Sequence, residues 1–318
     1  MLSRATRPVS SDAGPGTPLP GPVAIQGEAG RIEPGAATPA DMARLRELAR
    51  RVRIESVRAV ARANAGHPGG SLSASDLLVA LYFSELNIRP EEPRWANRDR
   101  YVHSKGHSCE ALYATLALRG YFQLEEMETF GHVDSRLQGH PDMTRLPGLD
   151  MSSGALGVGF TGAVGIALGS KLRGTPERTY VMLGDGECQE GVVWESAFVA
   201  ARYNLDNLVA IVDFNQLQQI GWAGDEAGKR QAPWQFESLA GHWIASGWSV
   251  QETDGHDMEA ILESLATART ARGRPVVIIA RTVKGKGVSF MEGSAPWHSR
   301  VPTPEELTRA LEDLDESI

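Results

Sequence analysis

Two apolar runs that each end on a polar, oxygen-bearing residue constrain this chain more than any other feature. Thr179-Tyr180-Val181-Met182-Leu183 runs into Gly184-Asp185-Gly186, and Leu208-Val209-Ala210-Ile211-Val212-Asp213-Phe214 runs into Asn215. Runs of this length and composition read as buried strands. The thirty positions from Asp185 to Asn215 hold one strand end, a crossover helix from about Glu190 to Tyr203, and a second strand parallel to the first. Asp185 and Asn215 then stand at the carboxyl ends of neighbouring strands, where open α/β sheets bind ligands. An Asp carboxylate, an Asn amide oxygen and a nearby carbonyl are the hard oxygens that Mg²⁺ prefers, with phosphate oxygens and water completing its shell. Gly184 and Gly186 let backbone N–H groups approach phosphates without a Cβ in the way. Two readings follow: a magnesium diphosphate site, or a strand-end turn, since Gly-Asp-Gly recurs by chance.

The rest of the chain extends the alternation of strand and helix. Residues 1 to about 40 are rich in Pro and Gly with little apolar periodicity, and read as a disordered extension. Proline at this density disfavours the amphipathic helix of an organelle transit peptide. From Asp41, read as an N-cap, Leu45, Leu48, Val52, Val57 and Val60 recur at helical spacing as far as Gly66. Ser73 with Asp76 reads as a capping box opening a second helix through Leu86. A short strand at Arg100 to His103, a helix from Cys109 to about Arg119 and a glycine-rich stretch from Gly154 to Gly169 precede the two runs. Strands near Trp248 to Gln251 and Val276 to Arg281 follow, with helices near Glu237 to Ser246, Met258 to Arg272 and Pro304 to Leu314. The expected fold is α/β, a doubly wound parallel sheet flanked by helices.

Charge and cysteine content narrow the function classes. A net charge of -8 with only five lysines leaves no clustered basic footprint, so no nucleic-acid partner is expected. No apolar run reaches the roughly 18 residues of a membrane helix. Cys109 and Cys188 give no disulfide framework, and the N-terminus lacks a secretory apolar region, so the cytoplasm is the expected compartment.

Four histidines stand in glycine- or proline-marked loops: His67 before Pro68-Gly69, His107 after Lys105-Gly106, His140 between Gly139 and Pro141, and His298 after Trp297. One such histidine is commonly structural; four in comparable loops point to a polar active site using His as donor, acceptor and acid/base. Their spacing does not suit zinc, for no Cys-x-x-Cys or His-x-x-x-His pair accompanies them.

These loops occur in a recognisable order. His67-Pro68-Gly69, Ser104-Lys105-Gly106-His107, Gly139-His140-Pro141, Ser153-Gly154-Ala155-Leu156-Gly157, Gly184-Asp185-Gly186 with Gln189-Glu190-Gly191, Asn215, Asp254-Gly255-His256-Asp257, and Lys284-Gly285-Lys286-Gly287 with Trp297-His298 succeed one another as in transketolases. From Asp41 onward the chain resembles the N-terminal, diphosphate-binding subunit of the split two-chain form of that family. The resemblance implies thiamine diphosphate and Mg²⁺ as cofactors. Asp185, Asn215 and the Leu217 carbonyl would hold the metal, and the Gly186 N–H would meet a phosphate oxygen. His107 and His298 would bond the diphosphate or the reacting centre, while the backbones of Gly154 and Leu156 would meet the aminopyrimidine ring. His67 and His140 would grip the ketose, with His67 and His298 moving protons during C–C cleavage and formation. Glu190 would join a carboxylate network at a subunit interface; its plainer reading is a helix N-terminal Glu favoured by the dipole. Lys284 and Lys286 would flank a loop near the cofactor, or form a solvated basic turn, and Asp254 to Asp257 would turn the chain and cap the next helix.

Val158 stands where the family commonly has Gln, and Ser299-Arg300 where split forms usually have Gly and Lys, so the sugar preference is left open. The family's pyrimidine-binding domain, which supplies the glutamate that acts on the aminopyrimidine, has no counterpart before Ile318. The expectation is therefore an enzyme inactive alone, paired with a separate C-terminal subunit, as a heterotetramer acting on sugars or sugar phosphates. The alternatives are a subunit of another thiamine enzyme, for a specialised ketol transfer or a 2-oxo-acid decarboxylation, and a non-catalytic cofactor-binding subunit.

Overall fold

Five short strands, the central three buried on both faces, build the frame that carries the site. The computed structural model describes residues 37–219 and 238–316. Its elements run α1 (Pro39–Ala63), α2 (Pro68–Ala80), β1 (Arg100–His103), α3 (Cys109–Arg119), α4 (Val158–Arg173), β2 (Thr179–Gly184), α5 (Gly191–Arg202) and β3 (Leu208–Phe214). They continue α6 (Leu239–Ala245), β4 (Ser249–Asp254), α7 (Met258–Thr270), β5 (Val276–Arg281) and α8 (Pro304–Glu316). The strands form one parallel sheet in the order β1-β2-β3-β5-β4.

Alternate residues of the central strands feed two cores. Tyr180, Met182, Val209, Ile211 and Ile278 point into one core with α1, α2, α3 and α7. Val181, Leu183, Ala210, Val212 and Ile279 point into the other with α4, α5 and α6. Each fully buried aliphatic side chain contributes roughly 1.5–3 kcal/mol, so the register of β2 against β3 is strongly specified: a one-residue slip would exchange the two faces. That register, with Gly184 opposite Asp213, sets Asp185 and Asn215 side by side at the carboxyl edge. A third cluster of Ile54, Val57, Leu72, Val288, Met291, Trp297 and Leu314 ties α1, α2 and α8 to the segment carrying Lys284 and His298.

Two local expectations are corrected. The first helix is capped by Thr38, whose hydroxyl accepts from the Asp41 N–H at 3.2 Å while the Asp41 carboxylate accepts from the Thr38 N–H at 2.9 Å. Asp41 is thus the third residue of a capping box and not the N-cap. Ser73 and Asp76 form no capping box, because α2 starts at Pro68 with its fixed φ and both residues lie inside it, buried. The glycine-rich stretch is largely helical: α4 opens at Val158 after Gly157 at φ 78°, and Gly159 lies so close to Ser104 that a Cβ there would sit 2.6 Å from the Ser104 Cα. The remaining strands and helices match the expected ones to within a few residues at their ends. Residues 1–36 of the expected extension lie outside the described residues.

Candidate functional site

The sheet's carboxyl edge carries a cleft of about 440 Å³, lined by His67, His107, His140, Gly154, Leu156, Asp185, Gly186, Glu190, Asn215, Leu217, Lys284 and His298 among others. Every expected site residue therefore reaches one cavity, although they come from segments more than 200 positions apart. The loops do this because each is tied to a buried anchor.

His67 precedes α2 and its N–H donates to the fully buried Glu110 carboxylate at 2.8 Å, which also accepts from Ser71 Oγ at 2.7 Å. The 284–298 segment crosses the start of α2 so closely that a Cβ on Gly69 would lie 2.7 Å from the Trp297 carbonyl oxygen. The Gly285 N–H donates to the Gly69 carbonyl at 3.0 Å, locking the two loops together. Buried Trp297, edge-on to Phe290 with ring centroids 5.4 Å apart, fixes His298 beside it. His256 accepts from the Val283 N–H through Nε2 at 2.8 Å, so its Nδ1–H donates to buried Asp76 at 2.7 Å and steadies the residue before Lys284. Asp76 also pairs with Arg53, and Asp257 caps α7.

The four histidine rings pack as one group. His67 lies with its centroid 5.2 Å from His107, 5.3 Å from His298 and 6.5 Å from His140, and His107 stacks on His298 at 5.0 Å. Burial, reinforced by the nearby Lys105 and Lys284 ammonium groups, holds His67 and His107 below the ordinary histidine range and brings His298 down to about 3. These three rings are neutral at pH 7. Lys284 Nζ donates to His298 Nδ1 at 3.0 Å, which puts the His298 proton on Nε2. Burial lowers Lys284 itself to about 8, so it still carries its charge at neutral pH.

Under the cleft lies a floor absent from the expected site. Asp213, fully buried at the end of β3, pairs with Lys105, accepts from Ser73 Oγ at 2.7 Å and from Thr282 Oγ1, and draws the Asn215 amide nitrogen to 3.4 Å. Lys105 also donates to the Gly70 carbonyl at 3.0 Å. Glu187, two residues past Asp185, accepts from Gly184 N–H at 3.0 Å, Gly157 N–H at 2.8 Å and Ser104 Oγ at 2.5 Å. The sequence carries a signal for Asp213, a charge inside an otherwise apolar strand run, but none that would pair it with Lys105 across 108 positions.

The donor set suits a hard cation and an anion together. Asp185 is only 4% exposed, and among the described residues no side-chain cation forms an ion pair with it. Burial first, and the neighbouring Asp213 charge second, raise it to about 6. Asn215 Oδ1 and the Leu217 carbonyl lie on the neighbouring turn after β3, where Gln216 adopts φ 62°; Asn215 Oδ1 accepts from the Leu217 N–H at 3.1 Å, and the Leu217 carbonyl accepts from Lys284 at 2.7 Å. No group of three or more His, Cys, Asp or Glu side chains forms a self-sufficient metal site among the described residues. A metal at Asp185 would need further oxygen donors besides carboxylates, as hard cations accept from amides, carbonyls, phosphates and water. The two lysines that depress the histidines also mark a positive field suited to phosphates.

Leu156 is a partly exposed apolar residue at the rim, and Glu190 is the exposed N-cap of α5 without a side-chain capping bond. Lys284 belongs to the cleft, whereas Lys286 is half-exposed and faces Glu292 at 3.5 Å. Val158 and Ser299, the departures noted in the sequence, are not among the lining residues.

Comparison with known proteins places these features together. The family model described as "Transketolase, thiamine diphosphate binding domain" matches residues 45–312. An apulose-4-phosphate transketolase subunit of Phocaeicola vulgatus is 42% identical over 262 residues, 82% of this chain and 90% of the relative. The 6-deoxy-6-sulfo-D-fructose transketolase subunit SqwG of a Clostridium species is 40% identical over 271 residues, 85% of this chain and 96% of the relative. The solved transketolase of Campylobacter jejuni superposes with a TM-score of 0.78 at 32% identity, covering 85% of this chain. This chain spans only 42% of that longer one.

Proposed function

The chain belongs to the transketolase family through its thiamine diphosphate-binding domain, and on that premise we propose that it is the diphosphate-binding subunit of a two-chain transketolase. It moves a two-carbon ketol unit from a ketose to an aldose together with a separate pyrimidine-binding subunit, the pair assembling as a heterotetramer. The observation that carries this reading is Asp185: a buried carboxylate that forms no ion pair among the described residues, set beside hard oxygens in a histidine-lined cleft that Lys284 also lines. A non-catalytic binding subunit has no chemical need for four convergent histidines. The two relatives that are separate transketolase subunits are named for sugars carrying a phosphate or a sulfo group, which favours a ketose with a terminal anionic group as donor.

Asp185, Asn215 and the Leu217 carbonyl would hold Mg²⁺, and the Gly186 N–H would meet a phosphate oxygen. Bound thiamine diphosphate supplies an electron sink for breaking and making C–C bonds beside a carbonyl. Gly154 and Leu156 bound the aminopyrimidine side of the cleft. His107 and His298 would bond the diphosphate or the reacting centre. His298 presents Nε2–H to an oxygen, because Nδ1 is taken by Lys284. His67 and His140 hold the sugar hydroxyls and carbonyl. A neutral His67 accepts a hydroxyl proton through its ring nitrogen and returns it, as general acid/base work requires. The exposed Glu190 faces a paired subunit. The stacked rings and the buried floor keep bulk water from beneath the reacting groups.

The test is calorimetric titration of thiamine diphosphate with Mg²⁺ into the purified chain, with and without the C-terminal subunit, followed by ketol-transfer assays on both. Activity in the mixture alone is expected; full activity of the single chain would sink the two-chain assignment. Mg²⁺-dependent binding without transfer to any sugar phosphate would favour another thiamine reaction.

A further inference from the structure

A second cavity, of about 480 Å³, lies at the opposite, amino-terminal edge of the sheet, away from the cleft. Its lining includes the guanidinium side chains of Arg94, Arg98, Arg100 and Arg145 against one carboxylate, Asp150. Asp150 is spent on structure: it accepts from Arg98 Nη1 at 2.8 Å, Arg98 Nη2 at 2.5 Å and the Tyr101 N–H at 2.9 Å. Arg100 reaches it only at 3.8 Å. Arg94, exposed at the rim, has no ion pair or hydrogen bond among the described residues, and Arg145 holds Asp142 loosely at 3.4 Å. The positive charge is thus held in place and under-compensated. Burial, and after it the charge of Arg98, makes Arg100 easier to deprotonate than an ordinary arginine, as expected where guanidiniums crowd together.

The cavity is built, not incidental. Its floor is the loop 141–153, closed at the neck by the Ser153 N–H donating to the Pro141 carbonyl at 3.2 Å. Gly148, at φ 88°, lies flat on Tyr121: a Cβ there would sit 2.6 Å from the ring. The Arg98–Asp150 pair rivets the far end of the loop to the start of β1. Immediately outside the neck stand His140 and Gly154, both in the catalytic cleft.

The geometry points to a second ligand site here, for a small phosphate-type anion, free phosphate or the phosphate of a sugar ester, gripped by Arg94, Arg98, Arg100 and Arg145. Planar guanidinium forks match the oxygens of such an anion bidentately. Arg98 is pre-ordered by its pair with Asp150, Arg94 stands unpaired at the rim among the described residues, and Arg145, exposed there, would exchange long contacts with Asp142 and the Ser135 carbonyl, both at 3.4 Å, for the ligand. This inference does not rest on the transketolase assignment, since the pocket shares no lining residue with the cleft.

The experiment is amide hydrogen exchange on the full-length chain, without and with inorganic phosphate, and in parallel with ribose 5-phosphate and with ribose. Phosphate is expected to slow exchange across residues 143–150. The doubly substituted Arg94→Ala/Arg145→Ala chain is expected to lose that effect. Both residues are exposed, so the variant keeps the fold, which an unchanged thermal midpoint verifies. Equal slowing by phosphate and by ribose 5-phosphate identifies the free anion as sufficient. Slowing by the ester alone identifies a sugar phosphate. No change over 143–150 with any phosphate, an equal change in the doubly substituted chain, or slowing by ribose itself, would overturn the site.

Discussion

Two buried carboxylates at the same edge of the sheet have opposite surroundings. Asp213 meets Lys105, Ser73 and Thr282, and these charges and hydrogen bonds outweigh its burial and hold it below the ordinary carboxylate range. Asp185, one strand away, forms no ion pair among the described residues; burial first and the Asp213 charge second raise it to about 6, against the smaller opposing effects of Lys284, the Gly186 N–H and Lys105. A protein that only needed to fold would treat both alike. The difference separates the floor of the cleft, where the chain itself pairs the buried charges, from its wall, where a buried carboxylate forms no ion pair among the described residues, the arrangement expected of a ligand-binding group. The histidines follow the wall: three are held neutral by burial and by the lysines beside them.

This contrast can be broken most forcefully at the floor. Asp213→Ala leaves the Lys105 ammonium buried without its carboxylate, and the chain should lose about 3–5 kcal/mol in urea denaturation. A loss under about 1 kcal/mol would mean that the pair is ornamental to the fold.

The wall should answer in the other direction. Because the folded value of Asp185 lies above its ordinary 3.8, the folded chain binds the proton more tightly than the unfolded chain between about 4 and 6. Stability therefore falls as pH rises through that window, and the cost is fully present at neutral pH. Asp185→Asn removes it. The cofactor-free chain should gain up to an amount on the order of 2–3 kcal/mol at neutral pH, while calorimetry should find no Mg²⁺-dependent binding of thiamine diphosphate. A destabilised variant would place Asp185 with Asp213 as a structural group.

A smaller effect is expected from pH alone. Protons compete with the metal for Asp185, so Mg²⁺ affinity should weaken by about tenfold for each pH unit below about 6 and stay level above it. A titration that is flat from pH 5 to 7 would place the metal elsewhere. The smallest effect belongs to Lys286→Ala, which removes a half-exposed ion pair with Glu292 at 3.5 Å. It should shift stability by less than about 1 kcal/mol and leave cofactor binding unchanged, in contrast to any change at Lys284, two residues away.

Much of the wall is legible in the sequence. Asp185, Asn215 and the four loop histidines announce themselves because glycine, proline and strand ends mark where functional side chains are displayed. The floor is not. Ser73 and Asp76 sit at the spacing of a capping box, and only the start of α2 at Pro68 shows that they are interior residues paired with distant groups. Lys284 and Lys286 look alike in Lys284-Gly285-Lys286-Gly287, yet one is buried against Leu217 and His298 and the other is not. Local pattern cannot separate them, since burial depends on what packs from elsewhere in the chain.

The sequence by itself determined the alternation of strand and helix, the parallel sheet and the position of the diphosphate turn. These depend on apolar period, run length and turn chemistry within a few tens of residues. Only the tertiary structure decided which charges are paired and which are not, and it alone brought Arg145 beside Arg94, Arg98 and Arg100 at the far edge of the sheet. The physical reason is range. Secondary structure is set by neighbours in the chain, whereas the state of a buried charge is set by desolvation and by counter-charges that the fold brings from far away in sequence.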